Sequence, residues 1–330
     1  VRQGKFIEIE LDEENTVTIR DNGRGIPVDE HPKFPGKSAL EVILTTLHSG
    51  GKFSNKAYQT SGGLHGVGIS VVNALTDFMT VEVAREGQLY KQEFSRGLPQ
   101  TGLESLGQIK NRRGTTVTFH PDPIIFGEKA LLKPAWLYQM ARSKAYLFRG
   151  VEIRWKCPPS LIKPESNIEP EATFHFPNGL LDYLNATLGS RACITPARFH
   201  GNIDLPDNNG RVEYALTWPE TGEGFIHSYC NTIPTPQGGT HETGLRSALS
   251  RSLRSFGEMS NIKKAAQITA DDVMNGSCVL LSVFIRDPQF QGQTKEKLAT
   301  SEVSRWVDTV VKDHFDNWLS SDTESARLLL

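Results

Sequence analysis

Cysteine is scarce: there are four in 330 residues, at positions 157, 193, 230 and 278, and none forms a Cys-x-x-Cys pair. That spacing argues against a structural zinc site and against a disulfide framework, and it suits a reducing cytoplasm best. Long apolar runs are missing too, since no stretch approaches the roughly 18 residues of a membrane span. The residues after Val1 do not read as a secretory signal, so a cytoplasmic protein without a membrane anchor is expected. Charge of one sign is not in excess either: 36 Lys and Arg stand against 38 Asp and Glu, a formal net charge of −2. Nucleic-acid-binding domains usually carry a marked basic excess, so any DNA contact is expected to be local or to lie outside this chain. What remains is a folded composition, 38% hydrophobic and 22% charged, in a chain long enough for two domains.

Hydrophobic periodicity supplies the elements. Residues 6–11 and 16–20 alternate as half-buried strands around the turn-prone Asp12-Glu-Glu-Asn15 and predict a β-hairpin. From 38 to 48, Leu40, Ile43, Leu44 and Leu47 recur at helical spacing, with Ser38 as N-cap and Gly50-Gly51 as the stop. A glycine-dense loop at 62–68 leads into a helix over 69–75, then strands at 80–83, 89–94 and 115–119. A helix at 131–148 and a strand at 151–155 precede a proline-rich segment at 158–171, and the domain boundary is placed near 172. Beyond it are predicted a strand at 173–176, a short helix from 179, a strand pair at 212–218 and 225–231, helices at 240–259 and 302–319, and a strand at 278–286 between them. Mixed strands and helices of this kind suit a layered α/β sandwich.

Three short runs carry chemistry. Asp21-Asn-Gly-Arg-Gly-Ile-Pro27 follows a strand; its two glycines admit a close backbone approach, and the carboxylate can accept a hydrogen bond from a ligand amino group. A tight surface turn with a solvated aspartate is the plainer alternative. Ser61-Gly-Gly-Leu-His-Gly-Val-Gly68 opens a helix, where successive unhindered N–H groups favour phosphate. Its glycine order matches neither a dinucleotide fingerprint nor a P-loop, and a structural loop is its alternative. Gln291-Gly-Gln-Thr-Lys-Glu-Lys297 sets Lys295 on a loop between a strand and a helix, where it can reach a terminal phosphate or simply be solvated.

Together the three runs resemble the ATPase superfamily of gyrase, the large heat-shock chaperones, histidine kinases and the mismatch-repair clamp. Leu47-His-Ser-Gly-Gly-Lys-Phe53 and the Gly-Gly-Thr-His run at 238–241 are similar to the B subunits of gyrase and topoisomerase IV, over residues 5–322. The stretches 51–59, 286–298 and 310–319 are more similar to topoisomerase IV, with the gyrase B protein as the alternative. A sensor histidine kinase is disfavoured, because a second domain carrying the Gln-Thr-Lys loop follows the nucleotide pocket. The resemblance implies an α+β fold: a two-layer α/β sandwich ATP-binding domain of Bergerat type at 1–172, followed by a ribosomal-protein-S5-like α/β transducer domain at 173–330.

It also implies roles. Asp21 accepts the adenine amino proton, with Thr115 behind it on a neighbouring strand, and Gly25 admits the base edge. Arg24, Ile26 and Pro27 form one wall of the purine slot, Ile43 another, and Arg85 stands at the mouth that aminocoumarin-type inhibitors touch. Lys52, Tyr58, Gly63, Leu64, His65, Gly66, Val67 and Gly68 form a lid around the triphosphate. Gln293 and Lys295 contact the γ-phosphate and are the candidate catalytic residues. The cofactors implied are ATP and Mg2+. The partners are DNA, a topoisomerase A subunit in a heterotetramer, and a second copy through the ATPase domain on ATP binding. The family's acidic general base and magnesium-binding asparagine sit on a helix ahead of the first strand. This chain is expected to begin after that helix, so no metal ligand is expected within it and nucleotide binding should survive better than turnover. Arg246, Arg251 and Arg254 share one predicted helix and are read either as facing DNA or as a solvated face.

Overall fold

In β1 (Phe6–Leu11), Ile9 and Leu11 are buried while Glu10 is exposed, the period of two that a half-buried strand requires. The computed structural model to which this strand belongs describes residues 6–48, 67–292 and 294–330. The Asp12 carboxylate accepts from the N–H groups of Glu14 and Thr16, and the turn it closes delivers β2 (Val17–Asp21) antiparallel to β1. A small hairpin, β3 (Glu30–His31) and β4 (Phe34–Ser38), leads into α1 (Ala39–Thr45), where Ser38 Oγ accepts from Glu41 N–H at 3.1 Å as the expected N-cap. The helix ends at Thr45, short of the expected 48, with Thr46 already extended.

After α2 (Gly68–Ala74) a meander follows: β5 (Thr76–Arg85), β6 (Gln88–Ser95), β7 (Leu98–Pro99), β8 (Glu104–Gln108) and β9 (Gly114–Pro121). Then come α3 (Pro123–Phe126), α4 (Pro134–Leu147), β10 (Glu152–Lys156) and β11 (Glu171–Phe174). Helix α4 starts at Pro134 rather than 131, because proline has no N–H to contribute and is best placed in the first turn.

These strands form one nine-stranded sheet in the order β11-β10-β1-β2-β9-β5-β6-β7, with β8 also on β6; β1 and β10 are parallel. Helices α1 and α2 cover one stretch, where Leu40 and Leu44 meet Met79, Val81, Val83 and Phe94. Helix α4 covers another, where Tyr138 and Ala141 meet Ile9, Leu11, Ile153 and Trp155. Each such buried aliphatic or aromatic side chain contributes about 1.5–3 kcal/mol. The residues that alternate with them carry ion pairs, Glu8 with Arg20 and Arg154, and Glu82 with Arg112.

The strand expected to open the second domain at 173–176 is instead β11, antiparallel to β10 in this first sheet. Among the described residues the chain divides into two compact units between Pro177 and Asn178.

The second unit contains α5 (Leu180–Leu188), β12 (Phe199–Asp204), β13 (Gly210–Thr217), β14 (Phe225–Cys230) and β15 (Ile233–Pro234). It continues with α6 (Thr240–Met259), α7 (Ala270–Met274), β16 (Cys278–Ile285), β17 (Phe290–Gln291), β18 (Lys297–Leu298), α8 (Glu302–Ser321) and α9 (Thr323–Leu328). The expected pairing of 212–218 with 225–231 does not occur. The order is β12-β13-β16-β14-β15, so β13 and β14 each pair with β16 and not with each other. All eight residues of β16 are buried. A strand buried along its whole length, with Ser282 as its polar exception, is stable only where neighbours flank both edges and both faces are covered, so it takes the middle.

Helices α6 and α8 pack through Leu245, Leu249 and Leu253 against Val303, Val307 and Val311, spaced by four as one helical face requires. Among the described residues no helix is long and apolar enough to cross a membrane, and all four cysteines are free.

Candidate nucleotide site

Asp21 is the last residue of β2, and its half-buried carboxylate is aimed by the turn that follows: Oδ1 accepts from Gly23 N–H at 2.6 Å. That bond holds the side-chain rotamer, while the carboxylate keeps acceptor capacity on its second oxygen. A Cβ on Gly23 would stand 2.7 Å from Asp21 Oδ1, so a side chain there would push the acid away. Gly25 has φ +81°, and a Cβ there would meet Val83 Cγ1 at 2.9 Å and Ala84 O at 3.3 Å. The turn therefore lies flat on β5, as the glycine spacing in the sequence suggests.

Four further bonds pin it. Buried Thr115, on β9, accepts at Oγ1 from Ile26 N–H at 3.2 Å, which leaves its own hydroxyl proton available as a donor. Arg85 Nη1 donates to Gly25 O at 3.4 Å, and its Nε pairs with Glu86 at 3.2 Å. Asn22 Oδ1 accepts from Phe6 N–H at 3.0 Å, and Asn22 O accepts from Arg113 Nε at 2.8 Å. Ile26 packs on the cluster of Leu40, Leu44 and Val83, Arg24 and Pro27 are exposed, and Ile43 is half-buried on α1. Asp21, Gly25, Ile26, Arg85 and Thr115 are thus gathered around one turn.

Asn22, from within that run, joins them, and so do Arg113 and Gly114, which none of the three runs contains. Gly114 has φ +105°, and a Cβ there would lie 2.0 Å from Asp21 O. A signal was present, since a glycine opens the strand that carries Thr115, but only strand pairing reveals what it touches.

Of the expected lid, Val67 is the N-cap of α2 and Gly68 its first residue. No side chain caps this helix and no acidic residue lies in its first turn, a start compatible with an anion. Lys52, Tyr58, Gly63, Leu64, His65 and Gly66 lie outside the described residues, as does Gln293.

In the second unit Lys295 stands between the paired strands β17 and β18, not between a strand and a helix as expected, with φ +59°, and burial pushes its ammonium below the ordinary lysine range. Arg246 and Arg251 are engaged by Asp271 at 3.3 Å and Asp308 at 2.7 Å, and Arg254 Nε donates to Ser250 O. Among the described residues no group of three or more His, Cys, Asp or Glu is arranged to hold a metal.

The family model for DNA gyrase B matches residues 179–330, and that for histidine kinase-, DNA gyrase B- and HSP90-like ATPases matches residues 2–124. The B subunit of DNA topoisomerase 4 from Bartonella bacilliformis is 56% identical over 325 residues, covering 98% of this chain and 47% of that protein. The protein of the same name from Caulobacter vibrioides is 54% identical over 330 residues, covering 99% and 47%. The chain spans about half the length of the curated relatives it matches.

Two solved structures align over 99% of the chain. One is the 43K ATPase domain of Thermus thermophilus gyrase B in complex with an aminocoumarin, with TM-score 0.78, 32% identity and 82% of that chain covered. The other is the topoisomerase IV ATP-binding domain of Francisella tularensis in complex with a small-molecule inhibitor, with TM-score 0.80, 34% identity and 84% covered. With both units matched, and with the carboxylate-and-glycine turn in the first, the chain belongs to the family of ATPase regions of bacterial type II topoisomerase B subunits shared by gyrase and topoisomerase IV.

Proposed function

We propose that this chain is the ATP-binding and transducer region of a topoisomerase IV B subunit, in which nucleotide binding drives a clamp that captures one DNA duplex for passage through another. Its domains are taken to divide between Pro177 and Asn178, a few residues beyond the boundary expected near 172, and its site as the residues named above. The observation that carries the reading is the Asp21 carboxylate, fixed at 2.6 Å by Gly23 N–H beside a Gly25 that a Cβ would drive into β5. An acceptor so oriented next to an unhindered backbone suits an aminopurine edge, and Thr115 can supply the complementary donor. The identity to the B subunits of DNA topoisomerase 4 favours topoisomerase IV over gyrase.

In this reading the start of α2 and the lid before it surround the phosphates, while Gln293 and Lys295 touch the γ-phosphate and lose that contact once it is hydrolysed. Loss of a contact that only one nucleotide state makes shifts the balance between two conformations. Magnesium would travel with the phosphates and neutralise part of their charge. DNA, a topoisomerase A subunit in a heterotetramer and a second copy of the ATPase region are the proposed partners. Aminocoumarin-type inhibitors are proposed ligands at Arg85, and the bacterial cytoplasm is the proposed location.

The test is Asp21→Asn, titrated calorimetrically with a non-hydrolysable ATP analogue. Losing a hydrogen bond to a charged acceptor is worth about 1.5–3 kcal/mol, so affinity should fall at least tenfold while the circular dichroism stays unchanged. Unchanged affinity would remove the adenine role from Asp21.

A further inference from the structure

Lys295 is held in the left-handed region, at φ +59°, a conformation that disfavours an L side chain by about 1–2 kcal/mol. Its neighbours must therefore impose it. Strands β17 and β18 pair Phe290 with Leu298 and Gln291 with Lys297, so Lys295 and Glu296 stand between the two strands. At the base of this hairpin Ala299 N–H donates to Gln289 O at 2.8 Å, and Gln289 N–H donates to Thr300 Oγ1 at 2.9 Å.

A second grip comes from the segment that precedes α6. Gln237 N–H donates to Glu296 O at 3.0 Å, and Gln237 Nε2 donates to Glu296 Oε2 at 2.7 Å, so one residue holds both the main chain and the side chain of Lys295's neighbour. Leu298 N–H then donates to Gly238 O at 3.0 Å, and Gly239 bridges Leu298 in parallel. A Cβ on Gly239 would fall 2.4 Å from Leu298 O, so the two segments touch backbone to backbone.

The gripping segment is itself anchored from beneath. Gly238 N–H donates to Thr235 O at 2.8 Å. Thr235, Ser228 and His241 are all buried, and they are linked by Ser228 Oγ to Thr235 Oγ1 at 2.7 Å and Thr235 Oγ1 to His241 Nε2 at 3.1 Å. Ser228 Oγ also donates to Glu242 Oε1 at 2.6 Å, on the first turn of α6. These bonds tie the segment to β14 and to the first turn of α6, although buried His241 Nδ1 has no hydrogen-bond partner, and Gln237 is the link from the segment to the loop.

We infer that Gln237 is a positioning residue for the phosphate-sensing loop: through its paired bonds to Glu296 it sets the backbone from which Lys295 reaches the terminal phosphate. The inference rests on the proposed reading of Lys295. Gln237 touches no nucleotide; it acts through Glu296. Its amide supplies the donor and Glu296 the charged acceptor, so exchanging the two chemistries should preserve the bond, while placing a carboxylate at both positions should break it.

The experiment uses Gln237→Glu, the double exchange Gln237→Glu with Glu296→Gln, and Lys295→Ala. Each is titrated with a non-hydrolysable ATP analogue and with ADP, and amide exchange over residues 294–298 is followed without nucleotide. Gln237→Glu should speed that exchange and lower the ratio of analogue to ADP affinity about fivefold, with ADP affinity kept; the double exchange should restore both. Unchanged exchange in Gln237→Glu, or no recovery in the double exchange, overturns the inference. If Lys295→Ala leaves the affinity ratio unchanged, the γ-phosphate reading of Lys295 fails, and the amide exchange alone then decides whether Gln237 positions the loop.

Discussion

Gly114→Ala should damage the nucleotide site although no side chain proposed to bind ATP is altered. Gly114 has φ +105°, and a Cβ built on it would meet Asp21 O at 2.0 Å, Asp21 C at 2.7 Å and Asn22 Cα at 2.9 Å, all backbone atoms that cannot rotate away. Gly87 is the control: it has φ +77° and nothing within 4 Å of an added Cβ. Gly87→Ala therefore carries the conformational penalty alone, about 1–2 kcal/mol. Gly114→Ala adds displacement of the β2 end from β9, and forcing atoms into a filled space typically costs about 1–3 kcal/mol more. A combined loss of about 3 kcal/mol corresponds to roughly a hundredfold faster amide exchange if opening limits it. Exchange in β2 and β9 peptides should show that difference, and affinity for an ATP analogue should fall because Asp21 has moved. If Gly114→Ala exchanges like Gly87→Ala and binds nucleotide normally, the coupling between β9 and the Asp21 turn is refuted.

Thr115→Val should weaken nucleotide binding and free the Ile26 turn, since it strips the acceptor 3.2 Å from Ile26 N–H at a buried position, at about 1–3 kcal/mol. Thr115→Ser should behave as wild type, and equal affinities for the Val and Ser variants would sink the idea. Asn73→Ala removes the buried Nδ2 bond to Leu44 O at 2.9 Å that ties α2 to α1, so amide protection should drop in both helices together; loss in α2 alone would contradict the link. Burial lowers the folded His241 pKa from 6.5 to about 3. The unfolded state then binds more protons between those values, so stability is complete above about pH 6.5 and declines as pH falls toward 3. The slope from this group is at most about 1.4 kcal/mol per pH unit. His227 and His314 are lowered by burial in the same sense, so His241→Gln should flatten the acid slope of the second unit's unfolding only in part. An identical slope in the variant would show that His241 is not the cause.

Local chemistry was readable from the sequence wherever one short stretch contains its own cause. Helix α6 appears at 240–259 as its periodicity requires, α8 runs only two residues past its expected end, and Ser38 caps α1. The Asp21 turn also declared itself, because a carboxylate and two glycines within five residues restrict what a backbone can do. The neighbours of that turn did not. Gly114, Arg113 and Phe6 reach Asp21 and Asn22 across strands more than a dozen residues away in sequence, and no local pattern names them. Strand order was hidden for the same reason. β11 reads as the start of a new domain until its pairing with β10 is known, and β13 and β14 read as neighbours until β16 stands between them.

Sequence alone thus determined the longer helices and strands, though not β12, α7 or α9, and the turn in which an acid and two glycines follow β2. Those properties follow from side-chain spacing and backbone freedom over a few residues. Tertiary structure decided which strands meet, which glycines are forced by a backbone opposite, and that Gln237 grips the loop of Lys295. Such choices depend on burying apolar faces and satisfying polar groups between distant segments, and that competition is settled only when the whole sheet forms.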